Sequence, residues 1–196
     1  MTFRLTKFES VSITQVVDVR STGNRYKRSR VEGNQKPYWM IELVTPPMPY
    51  AEGMAAAAYL DSLMGSLEII QFPCPLPELV TRSGVTNTAI DTAGTKLVGL
   101  SDFTNSLSDA VKAGDFMQYT NHQKVYRLVN DGNANSSGDL TATITPPLFV
   151  ATTSGEAIKY GGDVSFPCCL EDYVSMDVSA KNSKLIVFSI TLVEQG

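Results

Sequence analysis

Histidine, cysteine and tryptophan are scarce in this chain of 196 residues, which has one histidine, three cysteines and one tryptophan. Any catalytic triad or acid–base pair would have to be built around His122, which lies in a polar Thr-Asn-His-Gln-Lys segment between two predicted strands. We interpret His122 as a structural residue, because no nucleophile is paired with it in the sequence pattern. The sequence therefore predicts no catalytic residue and no enzyme activity.

A metal centre is disfavoured as well. Cys74, Cys168, Cys169 and His122 offer four potential zinc ligands, but they form no Cys-x2-Cys pair, and adjacent cysteines would point to opposite faces of a strand. Neighbouring cysteines also rarely bridge each other, because the peptide bond between them strains the disulfide. We expect three reduced thiols, no bound metal and no cofactor.

Long apolar runs are missing too. The longest uncharged apolar stretch, residues 53–60, is far short of the ~20 residues that a membrane span requires. The first nine residues, Met-Thr-Phe-Arg-Leu-Thr-Lys-Phe-Glu, contain no apolar core of a signal peptide. We expect a protein that is made in a cytoplasm and has no membrane anchor.

Charge is low, at 18% charged residues, and the net charge is −4. A negative chain lacks the electrostatic signature of nucleic-acid binding, so we expect no specific nucleic-acid partner. The low charge itself has two explanations that the sequence leaves open. A surface rich in serine, threonine and asparagine would produce it, and so would a surface hidden in an assembly.

Motifs for phosphate binding and sugar cleavage do not appear either. No Gly-x-Gly-x-x-Gly or P-loop follows a predicted strand. Two acidic pairs, Asp109 with Asp115 and Glu171 with Asp172, flank predicted turns. We interpret them as solvated turn carboxylates rather than as the catalytic pair of a glycosidase.

What the chain has in abundance is strand pattern, which predicts a mainly β fold. Val11–Val16 and Tyr38–Val44 alternate apolar and polar residues, with Trp39, Ile41 and Leu43 on one face. Leu67–Phe72 is a third short strand. These strands favour a sheet with one buried face.

One helix is predicted between the second and third strands. It has Glu52 in its first turn, the helix-forming run Ala55–Ala58, and Gly65 as the closing residue. One face of the helix carries an apolar stripe that should pack on a sheet. The stripe consists of Ala56, Leu60, Leu63 and Met64.

Close-spaced strands resume after residue 111 and predict a small barrel or sandwich. They are Phe116–Tyr119, Lys124–Val129, Leu140–Thr145, Ile158–Tyr160 and Val164–Phe166. The apolar run Lys184–Val193 comes last. Its length favours a strand buried on both faces, in the centre of the first domain's sheet.

Basic residues are concentrated in one segment, where residues 20–36 contain six of the 16 lysines and arginines against one carboxylate, Glu32. The six are Arg20, Arg25, Lys27, Arg28, Arg30 and Lys36. A solvated loop between strands would explain them, and so would a docking arm that reaches an acidic neighbour. Direct contact with DNA is less favoured, because Tyr26 is the one aromatic residue in the basic run.

A series of motifs runs through the C-terminal half. Ala-Gly-Asp-Phe-Met-Gln at 113–118 is followed by His-Gln-Lys-Val-Tyr-Arg-Leu-Val at 122–129, by a Gly/Ser turn, and by Thr-Ile-Thr-Pro-Pro-Leu at 143–148. Their order resembles the distal tail proteins of long-tailed bacteriophages, in the form with an inserted barrel. Trp-Met-Ile-Glu-Leu-Val at 39–44 and the helix are similar to the family's first domain. The resemblance covers about residues 38–196 through the order and spacing of these motifs.

The resemblance implies a β-sandwich with one packed helix, formed by residues 1–84 and 171–196, and an inserted barrel of the oligonucleotide/oligosaccharide-binding (OB) type at 85–170. It implies a structural protein of the virion, synthesised in the host cytoplasm and located at the tail tip. There it would form a homohexameric ring that joins the tail-tube protein to the baseplate hub and the tail fibres.

Two other functions compete with this one. A carbohydrate-binding module would use the inserted barrel to hold a glycan of the host surface, but Phe116, Tyr119, Tyr126 and Tyr160 alternate with core positions and are expected to be buried. A tail-tube subunit would also be a β-rich hexamer, but it would polymerise without limit.

Overall fold

The computed structural model describes residues 3–17, 19–22, 30–33, 37–63, 67–171, 174–179 and 185–195. In chain order its elements are β1 (Ser10–Val16), β2 (Val19–Thr22), β3 (Arg30–Gly33), β4 (Tyr38–Val44), α1 (Tyr50–Ser62), β5 (Ile70–Pro73), β6 (Thr86–Asn87), β7 (Leu97–Ser101), β8 (Phe116–Tyr119), β9 (Val125–Leu128), β10 (Leu140–Thr145), β11 (Ile158–Tyr160), β12 (Ser165–Leu170), β13 (Ser175–Ser179) and β14 (Leu185–Glu194). The mainly β class predicted from the sequence is confirmed.

Two compact units make up the chain, and one is inserted in the other. Residues 70–167 form the inserted unit, to which Phe3 also belongs, and residues 4–69 with 168–195 form the outer unit. Strand β12 runs from the inserted unit into the outer one. The limits expected from the sequence were 85 and 170.

The outer unit is built on a sheet in which β14 is central. Strand β4 lies between β1 and β14, and both pairings are antiparallel. Residues of β12 and the whole of β13 pair with the same central strand, also antiparallel. Trp39, Ile41 and Leu43 of β4 are buried on one face, as their alternation predicts.

The long apolar run at the C-terminus is central, as predicted, but only one of its faces is fully buried. Along β14, Ile186, Phe188, Ile190 and Leu192 are buried, whereas the alternate positions are half-buried and Ser189 is exposed. The apolar run therefore predicted more burial than the structure shows, since Val187, Thr191 and Val193 are only half-buried.

Helix α1 packs on this sheet through small residues. Pro49 precedes it, Glu52 is in its first turn, and Gly53, Ala56 and Leu60 are buried. At Gly53 the approach is so close that an added Cβ would lie 2.7 Å from Cβ of Ile186. The stripe predicted from the sequence is confirmed at Ala56, Leu60 and Leu63, while Met64 and Gly65 lie outside the described residues.

Six strands of the inserted unit form a nearly closed barrel in the order β11-β8-β9-β10-β7-β6. Closure comes from the short strand β6, whose Asn87 N–H donates to the carbonyl of Glu156 at 2.9 Å, next to a bridge between Thr86 and Ala157. The interior is a separate apolar cluster that includes Val98, Tyr126 and Ile144. This geometry is consistent with the predicted sandwich plus small barrel.

Candidate functional site

Part of the basic segment forms a two-stranded antiparallel ribbon. Strands β2 and β3 pair antiparallel, with Arg20 opposite Glu32 and Thr22 opposite Arg30. The ribbon continues the hairpin of β1 and β4, because β2 follows β1 and β3 precedes β4 in the chain. Of the candidate docking residues, Arg25, Lys27, Arg28 and Lys36 lie outside the described residues. A docking role for the segment stays a prediction.

The Ala-Gly-Asp motif places a carboxylate inside the inserted unit. Asp115 is 4% exposed, so its interpretation as a solvated turn residue is wrong. Its Oδ1 accepts the backbone N–H of Leu79 at 2.8 Å, and its Oδ2 accepts the hydroxyl of Tyr160 at 2.9 Å. Burial, and then the hydrogen bond to Asp115, raise the pKa of Tyr160 well above its ordinary value. The motif therefore joins the start of β8 to β11 and to the segment before β6.

The other acidic residues singled out in the sequence are on the surface where they are described. Asp109 is exposed and pairs with Lys112 at 2.7 Å, and the same ammonium lies 2.9 Å from Asp131. Glu171 is exposed, and Asp172 lies outside the described residues. Asp109 and Asp115 thus face different environments, one in water and one buried.

His122 is buried rather than in an exposed turn. Its Nε2 lies 3.7 Å from Oε1 of Glu156, and its ring centroid lies 5.1 Å from that of Tyr119. Glu156 also accepts the N–H groups of Asn121 at 3.3 Å and Thr153 at 3.1 Å. This arrangement ties two loops of the barrel together, which is a structural role of the kind the sequence suggested.

Sequence reasoning missed a group of buried charges in the barrel. Besides Asp115 they are Lys124 and Glu156, at 3% and 5% exposure. The Nζ of Lys124 lies 4.7 Å from the ring centroid of Phe149, a cation–π geometry. A hint was present in the strand pattern, since Lys124 alternates in register with the buried Tyr126.

The aromatic residues of the barrel are core residues, as expected. Phe116, Tyr119, Tyr126 and Tyr160 are each at most 2% exposed. Among residues 82–162, all of which are described, no aromatic side chain is exposed. A cavity of 520 Å³ on the barrel is lined by polar residues such as Asp91 and Asp139, by apolar residues such as Leu97, and by none with an aromatic ring. The barrel therefore lacks the stacking platform that sugar-binding sites commonly use.

The three cysteines are all described, and none of them forms a disulfide. Cys168 and Cys169 are buried, and Cys74 is half-buried. Burial raises the pKa of the Cys74 thiol above its ordinary value. Within the described ranges, no group of three or more His, Cys, Asp or Glu side chains could hold a metal ion. Nor does that part of the chain contain a helix long and apolar enough to cross a membrane.

The fold and these contacts define a class: a mainly β protein whose inserted unit is a small barrel, held by a buried Asp–Tyr pair and a buried Glu–His pair. Residues 82–162, from just before β6 to just after β11, match the family model described as "Distal tail protein pb9, B domain". This match confirms the resemblance to the distal tail proteins of siphoviruses, which are structural proteins of the phage tail. No curated protein matches the chain.

The matched residues include the Ala-Gly-Asp turn, the aromatic core and Glu156. They cover less than half of the chain, so the outer unit resembles the family through its sequence motifs alone.

Proposed function

We propose that this chain is the distal tail protein of a long-tailed bacteriophage, forming a homohexameric ring at the tail tip. The ring joins the tail tube on one side to the baseplate hub and the tail fibres on the other. The observation that carries the proposal is the match of residues 82–162 with the B domain of a distal tail protein. The inserted position of the barrel, between the two segments of the outer unit, adds support.

Ring formation is tested by mass and by attachment to the tail. Six copies have about six times the 21.3 kDa mass of the chain, and light scattering at micromolar concentration measures it. Cosedimentation with purified tail-tube and baseplate components tests the connection itself. A chain that stays monomeric and fails to cosediment with either component would contradict the proposal.

We further propose that the basic segment, residues 20–36, is a docking arm for an acidic neighbour. Six cations against one carboxylate are costly to bury unpaired, because each unpaired buried charge costs several kcal/mol. An acidic partner surface removes that cost. Attraction of this kind is screened by salt, with a Debye length of about 8 Å at physiological ionic strength.

The arm is tested by replacing Arg25, Lys27, Arg28 and Arg30 with serine. Thermal stability should change little, because exposed charges contribute ~0–1 kcal/mol each. Assembly or attachment to the tail should weaken, and the wild-type contact should weaken with added salt. If the variant melts many degrees lower, the segment belongs to the fold. If it assembles like the wild type at every salt concentration, the solvated-loop interpretation is correct.

A further inference from the structure

A cavity of about 270 Å³ on the inserted unit is lined almost wholly by polar side chains. The lining residues used below are Gln118, Thr120, His122, Gln123, Lys159 and Ser165. A polar cavity of this size has room for several waters or a small ligand. All of its lining residues are described, and none of them is an aspartate or a glutamate. The lining therefore offers hydrogen-bond donors and a cation without a carboxylate that competes for them.

The register of two strands builds one wall of this cavity. Met117 and Tyr119 of β8 lie in the barrel interior, so Gln118 between them points to the outer face of the barrel. Lys159 of β11 stands directly opposite Gln118. Directly opposite residues of an antiparallel pair share a face. The Gln118 amide and the Lys159 ammonium therefore line the same cavity from neighbouring strands.

Both of these side chains keep nitrogen donors that no residue in the described part of the chain uses. The Oε1 atom of Gln118 accepts the backbone N–H of Ser165 at 3.3 Å, which leaves the amide NH2 group as a donor. Gln118 is 5% exposed, so this donor is held in the wall rather than in open water. Lys159 is exposed and forms no ion pair with any residue that the structure describes. The wall thus presents unpaired N–H groups and one positive charge.

His122 adds a ring nitrogen that lacks a partner. Its Nε2 faces Oε1 of Glu156 at 3.7 Å, which is beyond hydrogen-bond length. Its Nδ1 is buried and has no hydrogen-bond partner among the described residues. An unpaired buried polar atom in a folded protein calls for a water, an ion or a ligand beside it. Because His122 lines the cavity, a molecule bound there reaches Nδ1 after a turn of the imidazole ring.

This set of groups fits a phosphate better than a carboxylate. Lys159 and Gln118 supply N–H groups to negatively charged oxygens, and hydrogen bonds assisted by charge are the strong ones. A phosphate monoester loses its second proton at a pKa of about 6, so near neutral pH its oxygens occur with and without a hydrogen. The hydrogen between Nδ1 and a phosphate oxygen can therefore come from either partner. A carboxylate pairs with Nδ1 only when the ring is protonated.

We propose that this cavity binds a phosphate group, either as inorganic phosphate or as the phosphate monoester of a larger molecule. Lys159 and Gln118 hold the charged oxygens, and His122 shares a hydrogen with one of them. The cavity is larger than a phosphate ion, which leaves room for the part of an ester next to the phosphate. The site lies in the inserted unit alone, so it does not depend on the proposed ring.

The single histidine of the chain makes the site directly observable by NMR, because the imidazole resonances belong to His122 without further assignment. The full chain, isotope-labelled and free of a histidine tag, is titrated at constant pH and ionic strength with inorganic phosphate and with glycerol 3-phosphate. Both should shift the ring-nitrogen resonances of His122 in a saturable way, and the tighter of the two distinguishes the free ion from an ester. Acetate and glycerol should bind about ten-fold more weakly or not at all.

Three variants separate a built site from general attraction of anions. Gln118→Glu keeps an oxygen for the Ser165 N–H and replaces the NH2 donor with a negatively charged oxygen. Lys159→Gln removes the cation at an exposed residue and should keep the wild-type thermal melting. Each should raise the dissociation constant for phosphate by about ten-fold or more, as expected when a charge-assisted hydrogen bond is lost. The matched control, Lys96→Gln, changes another exposed lysine of the inserted unit and should leave the constant unchanged.

Three outcomes overturn the inference. They are His122 resonances that neither phosphate compound shifts, equal affinity of Lys159→Gln and wild type for phosphate, and acetate that binds as tightly as phosphate. None of the three concerns mass or attachment to the tail, so the proposed function would stand if the protein still forms a ring and cosediments with tail components. Loss of cosedimentation contradicts the proposed function and leaves the phosphate site untouched.

Discussion

Replacing Tyr160 with phenylalanine tests the buried pair under the Ala-Gly-Asp motif. The substitution keeps the ring and removes the hydroxyl that donates to Oδ2 of Asp115 at 2.9 Å. Asp115 then keeps only the Leu79 N–H of the two donors described above, although it stays buried. Leaving a buried acceptor unsatisfied costs about 1–3 kcal/mol, with charged acceptors at the upper end.

The matched control is Tyr119→Phe, in the same barrel and equally buried. The Tyr119 hydroxyl donates to the neutral side chain of Asn87 at 3.4 Å, a longer and weaker bond. Its removal should cost about 0.5–1.5 kcal/mol. A loss of 1 kcal/mol in stability lowers the Tm of a unit of this size by roughly 4–8 °C. Tyr160→Phe should therefore lower the Tm by about 5–20 °C, and by more than the control does.

Circular dichroism melting of both variants makes the comparison, and hydrogen exchange locates the effect in residues 70–167. Equal losses in the two variants would refute the reasoning, since the charge on Asp115 would then add nothing to the bond. A loss located in the outer unit would refute it as well.

Three further predictions concern other parts of the molecule. Gly53→Ala should destabilise the protein, because overpacking against Ile186 costs about 1–3 kcal/mol and alanine gains only about 1 kcal/mol in helix propensity. Urea unfolding of wild type and variant measures the difference, and a stabilised variant would contradict the close approach. Asp131, whose pKa is lowered by the N–H of Ala113 and then by Lys112, should stabilise the fold above its unfolded-state pKa and lose that effect as the pH falls through its folded-state pKa. The stability difference between wild type and Asp131→Asn should therefore be larger at about pH 7 than at about pH 3, and a difference independent of pH would contradict this. Cys74 should react with iodoacetamide more slowly in the native protein than in urea at neutral pH, because burial raises its thiol pKa, and equal rates measured by mass spectrometry would contradict the burial.

Strands with regular alternation could be predicted from the sequence almost to the residue. Strands β4, β8, β10 and β11 have the predicted limits. Apolar and polar residues alternate in β4, β10 and β11, whereas β8 was recognised from its apolar and aromatic residues between turns. Strand β6 has two residues and no pattern of its own, and it exists because it pairs with β7 and bonds to Glu156, about seventy positions away. Strand β13, Ser-Met-Asp-Val-Ser, also alternates, but it was not predicted, because only two of its five residues are apolar.

The buried polar contacts could not be predicted, because their partners are distant in sequence. Asp115 is satisfied by groups 36 and 45 residues away, and the composition around it is that of an ordinary turn. His122 has the same difficulty, since its partner Glu156 lies beyond two further strands. By contrast, burial of the barrel aromatics was expected from their place among apolar strand residues, although β8 is buried on both faces and not on alternate residues alone.

The measurement that tests the central claim most directly is electron microscopy of the purified full chain, alone and bound to isolated tails. The proposed function predicts closed rings with sixfold symmetry, and a ring at the distal end of the tail when the tails are labelled with an antibody against the chain. Monomers that never label the tail tip would contradict it. So would tubes of unlimited length, which are the product expected of a tail-tube subunit.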